Sequence, residues 1–74
     1  MKGRATFTTT EIKKIRVLLR LKEHADRKYQ KKLRLQLRRI GFYISDFGSN
    51  TPEQFTEADL DLNMRAGRIV EKAG

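Results

Sequence analysis

A chain of 74 residues that is 38% hydrophobic and has no cysteine can bury one small core, without support from disulfides or thiolate-bound metal. Its formal net charge is +8 at pH 7, and this charge is unevenly distributed. Residues 1–40 contain 14 Lys and Arg against three acids, whereas residues 41–74 contain three against six. Such a one-sided basic excess is typical of proteins that bind polyanions, although a charged surface can also serve solubility alone.

The N-terminal segment MKGRATFTTT is positively charged but contains no apolar run, so it does not have the pattern of a secretory signal. No stretch approaches the ~20 consecutive apolar residues that a membrane-spanning helix requires. We therefore expect a single domain over residues 1–74 that is cytoplasmic and has no membrane partner.

The first helix is predicted to begin after Thr8. Glu11 lies three residues later and completes a capping box, and Phe7 and Ile12 have the spacing of a hydrophobic staple. The helix is predicted to continue to about Glu23.

The apolar residues of this first helix cover more than half of its circumference. They are Ile12, Ile15, Val17, Leu18, Leu19 and Leu21. A helix with so wide an apolar arc is usually central in the fold or shared with a second chain. Because Val17 and Leu21 point away from Ile12 and Leu19, we predict a homodimer through this helix, with Leu35 at its edge. The alternative is a monomer in which later elements cover both side chains.

A second helix is predicted to follow a short connection at His24–Asp26. Asp26 is suited to cap its start, and Gly41 stands where a C-terminal glycine belongs. The two helices are predicted to form an antiparallel hairpin over residues 8–40. One long continuous helix is the alternative, since no glycine or proline interrupts this stretch.

The remaining residues, 41–74, predict a strand, a loop, a helix and a strand. GFYISDF, residues 41–47, is rich in side chains that favour strands, and GSNTPEQ, residues 48–54, is rich in turn residues. A third helix is predicted between Thr56, with Asp59 completing a capping box, and Gly67. RIVE, residues 68–71, is predicted to be the closing strand.

The predicted order is therefore α-α-β-α-β, a small α+β fold in which the two strands pair with each other. In an extended GFYISDF, Phe42 and Ile44 share one face, which we expect to be buried. Tyr43 lies on the opposite face, where an exposed ring could stack on a base.

The second helix carries the strongest functional signal. Its cations are Arg27, Lys28, Lys31, Lys32, Arg34, Arg38 and Arg39. They form two flanks, with the apolar stripe of the helix between them, and two such flanks can bracket phosphates along a groove. An ordinary surface helix usually alternates lysines with glutamates, but no acid lies between Arg27 and Ile40. We predict that these seven residues and Tyr43 contact nucleic acid, assisted by a basic N-terminal arm at residues 1–7.

Two nucleic-acid-binding families are less compatible with the chain. Gly41, Phe42 and Phe47 match part of the ribonucleoprotein motif of RNA-recognition domains, but Ile40 and Tyr43 stand where a basic and a small residue belong. The predicted order also lacks the four strands of those domains, so we exclude that family.

A helix-turn-helix reader is a weaker alternative. Gln30 and Gln36 of the second helix would then read bases, but the His24–Asp26 connection lacks the usual glycine. Gln36 also lies near the apolar stripe, which suits a structural role better than base readout.

Catalysis has little support in the sequence. His24 is the one histidine and lies at a helix boundary, and Asp59 and Asp61 point to different faces of the third helix. No spacing matches a metal cluster, a nucleophile elbow or a phosphate-binding loop. We therefore expect no enzymatic activity, cofactor, metal or small-molecule substrate.

The sequence thus favours a small, non-enzymatic nucleic-acid-binding protein of low sequence specificity. It does not distinguish DNA from RNA. The alternative is a protein-interaction module, either a homodimer or a binder of an acidic partner, that has no role with nucleic acid.

Overall fold

The computed structural model describes residues 1–48 and 54–73. Within them the chain forms three α-helices and a two-stranded parallel sheet in the order β1-α1-α2-α3-β2, which confirms the small α+β class. The bounds are Thr6–Thr8 for β1, Thr9–Glu23 for α1, Arg27–Ile40 for α2, Glu57–Arg65 for α3 and Val70–Lys72 for β2. Most of the predicted loop, at 49–53, lies outside the described residues.

The helix starts follow the predicted capping chemistry. Thr8 accepts the Glu11 N–H at 3.1 Å, and the Glu11 carboxylate accepts the Thr8 N–H at 2.9 Å, so the capping box of α1 is complete. At α3 the Asp59 carboxylate accepts the Thr56 N–H at 2.9 Å. These bonds satisfy amide groups that a helix start otherwise leaves without partners.

The connection between α1 and α2 excludes the alternative of one continuous helix. Asp26 has extended backbone angles and caps α2 by accepting the Tyr29 N–H at 2.9 Å. At the other end, Gly41 has a φ of 99°, a left-handed conformation that glycine adopts without steric cost. Because α1 packs against α2 after so short a connection, the predicted hairpin is confirmed.

The prediction that GFYISDF forms a strand is wrong. After the left-handed Gly41 the Phe42 N–H donates to the Leu37 carbonyl, and Ile44–Asp46 forms one turn of 3-10 helix. The reason is burial: Phe42 enters the core directly after α2, with the rings of Phe7, Phe47 and Phe55 at 5.4–5.9 Å from its centroid. The strand-favouring side chains are there because they are apolar, and the prediction that Phe42 and Ile44 are buried is confirmed.

The partner of the closing strand is β1, in the segment predicted to be a basic N-terminal arm. Thr6 pairs with Val70 and Thr8 with Lys72, in parallel, so the sheet joins the two ends of the chain. The side chain of Phe7 between them is buried. The closing strand itself lies close to its predicted position at 68–71.

Residues 2–4 are also bound to the rest of the fold. The Asp46 carboxylate accepts the N–H groups of Lys2 and Gly3 at 2.9 and 2.8 Å, and the Arg4 N–H donates to the Gly41 carbonyl at 2.8 Å. The main chain of residues 2–7 is therefore an integral part of the fold, and the contact of this basic segment with nucleic acid stays a prediction.

One apolar cluster forms the core between the helices and the sheet. Its buried members are Phe7, Ile12, Ile15, Leu18, Leu19, Leu33, Leu37, Phe42, Ile44, Phe55, Leu60 and Ile69. Lys22, at the end of α1, is also fully buried, which the sequence pattern did not indicate. Among the described residues no buried side-chain nitrogen or oxygen lacks a hydrogen-bond partner, so burial of polar groups is compensated.

We expect the fold to weaken in acid in a way that depends on Asp46. The backbone hydrogen bonds from Lys2 and Gly3 lower the pKa of the Asp46 carboxyl below its ordinary value. A lowered folded-state pKa stabilises the protein above the unfolded value of about 3.9, and this stabilisation is lost as pH falls through the folded value.

Thermal melting of the wild type and of Asp46→Asn between pH 7 and pH 3 measures this contribution. The variant should melt lower at pH 7, and the gap between the two proteins should close as the pH falls towards 3. A gap that stays constant with pH would show that the Asp46 charge does not hold residues 2 and 3.

Candidate nucleic-acid interface

Helix α2 presents a single broad basic surface to solvent. Its buried residues Leu33 and Leu37 pack towards α1, and Leu35, on the opposite side of the helix, is 49% exposed. The predicted apolar stripe therefore faces the core, and the two flanks of cations meet on the solvent side. Because the stripe between the flanks is buried, the flanks face solvent as one surface.

We call this surface the basic face and define it by the exposed cations of α2. They are Arg27, Lys28, Lys31, Lys32, Arg38 and Arg39. They occur as three adjacent pairs in the sequence, separated by about 6 Å and then about 10 Å along the helix axis at a rise of 1.5 Å per residue. The structure thus brings together six of the eight predicted site residues.

The positive charge of the basic face is not neutralised by ion pairs with the described residues. Among residues 1–48 and 54–73 none of its six cations forms an ion pair. The carboxylates of α3 pair instead with α1: Arg16 contacts Asp61 at 2.7 Å, and Arg20 contacts Glu57 at 3.1 Å. Glu11 of α1 pairs with Arg4 of the N-terminal segment at 2.6 Å.

These pairings explain how the chain can be acidic in its second half without shielding α2. The hydrogen bond from Arg16 lowers the pKa of the Asp61 carboxyl, so this group remains ionised and engaged with α1 over the physiological range. The order of residues does not show whether these acids pair with α1 or with α2, because that choice depends on how α3 packs.

Arg34 and Tyr43, the other two predicted site residues, lie at the border of the basic face. With Arg38 and Ser45 they line a small cavity of about 30 Å³ between α2 and the segment that follows it. A cavity of this size holds one or two waters and no larger ligand.

The Tyr43 ring is half-buried and less accessible than the sequence predicted. The Arg38 guanidinium lies 5.7 Å from the ring centroid. A Cβ on Gly3 would lie 2.6 Å from the Tyr43 Cδ1 atom, so the N-terminal segment runs against the ring edge. Tyr43 therefore helps to hold Arg38 in place, and its stacking on a base stays a prediction.

Leu35, predicted to lie opposite the buried stripe and amid the arginines, is exposed on α2. It lies in the middle of the basic face and borders an open depression of about 210 Å³ with Lys32, Gln36 and Arg39. Helical periodicity already places Leu35 opposite the buried stripe and amid the cations, and the packing of α2 leaves it 49% exposed there.

The side chains considered for catalysis have other roles or lie apart. His24 is exposed at the C-terminal end of α1, while Asp59 caps α3 and Asp61 pairs with Arg16. The described part of the chain contains no group of three or more His, Cys, Asp or Glu placed to hold a metal ion. Within the same residues, no helix is both long and apolar enough to cross a bilayer.

Comparison of the chain with protein-family models, with curated proteins and with solved structures finds no match.

Proposed function

We propose that this protein binds nucleic acid without enzymatic activity and with low sequence specificity, through the basic face of α2. The observation that carries the proposal is the set of six exposed cations on one side of a helix, with no ion-pair partner among the described residues. Like charges so close repel one another, and a polyanion relieves that repulsion while it releases its own counterions.

The distribution of acids supports this proposal over a role in solubility alone. The chain has nine acidic residues, yet α2 has none between Arg27 and Ile40. The acids that α3 directs towards neighbouring helices contact Arg16 and Arg20 of α1. Solubility requires only net charge, which would be achieved equally well with the acids spread among the lysines of α2.

We expect binding to depend steeply on salt. If four to six phosphates are neutralised, the slope of log affinity against log salt on duplex DNA should be about −4 to −5, from roughly −0.9 per phosphate. Replacing Lys31 and Lys32 together by glutamine should flatten the slope by up to about two units. Fluorescence anisotropy titrations at several salt concentrations measure both slopes.

The matched control replaces Lys13 and Lys14 by glutamine. Both side chains are exposed on α1, so this variant loses the same net charge from a different helix. Its slope should remain close to that of the wild type. Equal slopes for both double variants would show that net charge, and not the basic face, attracts the nucleic acid, and absence of binding at low salt would refute the proposal.

The second candidate function is an interaction module, and one observation favours it. Val17 and Leu21, one helical turn apart on the outer side of α1, are 51% and 44% exposed. Adjacent exposed apolar side chains on a small protein often mark an interface. The monomer does not bury them, so the predicted homodimer through α1 remains a proposal.

Sedimentation at tens of micromolar tests that proposal. A dimer should become monomeric on Leu21→Glu without loss of helical circular dichroism, because Leu21 is not part of the monomer core. Val70→Glu, which changes another side chain that is 44% exposed but lies on β2, is the control and should leave the dimer intact. A wild type that sediments as a single species of 8.7 kDa would reject the homodimer.

A further inference from the structure

We infer that the basic face is shaped for the major groove of duplex DNA, with Leu35 against the edges of the bases and the surrounding cations on the phosphates. This inference rests on the proposed function and narrows it to one form of nucleic acid. We assign this surface to duplex DNA because the pattern of cations around Leu35 matches the shape of its major groove.

The cations form two rows, one on each side of the outer line of α2 that carries Leu35. We call this line the ridge. Consecutive residues of a helix are about 100° apart, so each of the three adjacent pairs places one cation on either side of the same line. Arg27, Lys31 and Arg38 form one row, and Lys28, Lys32 and Arg39 form the other. Helical periodicity places Leu35 between the rows, and with Lys32 and Arg39 of the second row it lines an open depression.

The width of this arrangement matches a groove. Two extended side chains about 100° apart on a helix separate their charged ends by roughly 9–13 Å, depending on how far they extend. The major groove of B-form DNA is about 12 Å wide and admits an α-helix. The two rows can therefore reach the phosphates on opposite sides of the groove while the ridge faces its floor.

The other described elements pack away from this side of α2. Helix α1 packs on the side of α2 that carries Leu33 and Leu37, diametrically opposite Leu35. Helix α3 and the sheet pack against α1. The ridge is thus the part of α2 that projects farthest from the core.

Other forms of nucleic acid fit this surface less well. Proteins that bind single strands without sequence preference stack bases on aromatic side chains, but the basic face has no aromatic ring between its rows. Tyr43 is half-buried beneath Arg38, and Tyr29, which is 45% exposed, lies outside both rows at about 120° from Leu35 around the helix. Duplex RNA has a deep, narrow major groove that does not admit a helix.

Leu35 has a defined counterpart in this groove. The thymine C5-methyl group is the apolar feature that B-form DNA displays on the major-groove floor. Contact with it would remove apolar surface on both sides from water. Leu35 therefore confers a modest preference for thymine, while the flanking cations bind any duplex.

The first experiment compares duplex DNA, duplex RNA and single-stranded DNA of the same sequence and length at a fixed salt concentration. Duplex DNA should bind at least about tenfold more tightly than the other two. If duplex RNA or the single strand binds as tightly as duplex DNA, the groove inference is wrong although the proposed function stands. If none of the three binds at low salt, both are wrong.

The second experiment isolates Leu35. Replacing thymine by deoxyuridine in an A·T-rich duplex removes only the methyl groups. This should weaken wild-type binding by two- to fourfold, which is close to the effect of burying about one methyl group. Leu35→Ala should bind the two duplexes almost equally, with an unchanged salt slope.

Leu62→Ala is the control, because Leu62 is similarly exposed but lies on α3. It should keep the wild-type preference for thymine. Circular dichroism confirms that each variant is folded, which the exposure of both side chains leads us to expect. A Leu35→Ala variant that keeps the full preference for thymine would overturn the assignment of Leu35 to the base edges.

Discussion

Replacing Phe42 by alanine should lower the free energy of unfolding by about 3–5 kcal/mol. The ring is completely buried and contacts three other aromatic rings, those of Phe7, Phe47 and Phe55. The loss has two sources, the apolar surface that is no longer buried and the cavity that remains. It is a large part of the roughly 5–15 kcal/mol that stabilises a typical domain. Urea denaturation followed by circular dichroism measures it.

Tyr43→Ala is the natural comparison, because it removes a neighbouring aromatic side chain that is only half-buried. Its loss of stability should be clearly smaller. If Phe42→Ala and Tyr43→Ala shifted the urea midpoint by the same amount, the aromatic cluster would not be the centre of the core as the structure places it.

Deleting residues 1–7 should abolish cooperative folding. The deletion removes most of β1, the buried Phe7 ring and the backbone groups that bind Asp46 and Gly41. Loss of a buried phenylalanine alone costs about 3–5 kcal/mol, and the sheet loses one of its two strands as well. Thermal scans by circular dichroism should show no cooperative transition.

The control retains the backbone and removes the charges: Lys2→Gln combined with Arg4→Gln. Lys2 binds Asp46 through its main chain, and the Arg4–Glu11 pair is half-exposed, so little stability should be lost. A deletion variant as stable as the wild type would restore the view of residues 1–7 as an arm.

The helices were predictable because their ends are determined by neighbouring residues. Each helix end depends on residues only a few positions apart in the chain. Thr8 and Glu11 cap α1, Asp26 caps α2, and Gly41 ends α2. Such local chemistry is visible in the order of residues alone. The same holds for the list of basic residues on α2.

The strands were harder because pairing is not local. Phe42, Tyr43 and Ile44 have the composition of a strand, but apolar composition indicates burial and does not reveal a hydrogen-bonding partner. The segment Thr6–Thr8, which does form a strand, has a sequence that predicts only the end of a basic arm and the cap of a helix. Its partner lies at Val70–Lys72, and no pattern near residue 6 could reveal that.

The arrangement of the site depended on packing in the same way. Helical periodicity gave two flanks of cations, but the side on which they meet depends on which stripe of α2 contacts α1. Once Leu33 and Leu37 are buried, the flanks converge around Leu35. The burial of this stripe therefore determines that the cations form one exposed surface with Leu35 at its centre.

The pairing of β1 with β2 also determines the order in which this chain can fold. The contacts between α1 and α2 join residues that are close in sequence, so the hairpin can form early and rapidly. The sheet joins residues 6–8 with residues 70–72, and closing so long a loop is slow. Phe7 therefore reaches its final surroundings only when β1 and β2 pair, and a chain in which only the hairpin has formed leaves the apolar side of α1 open to association with other chains.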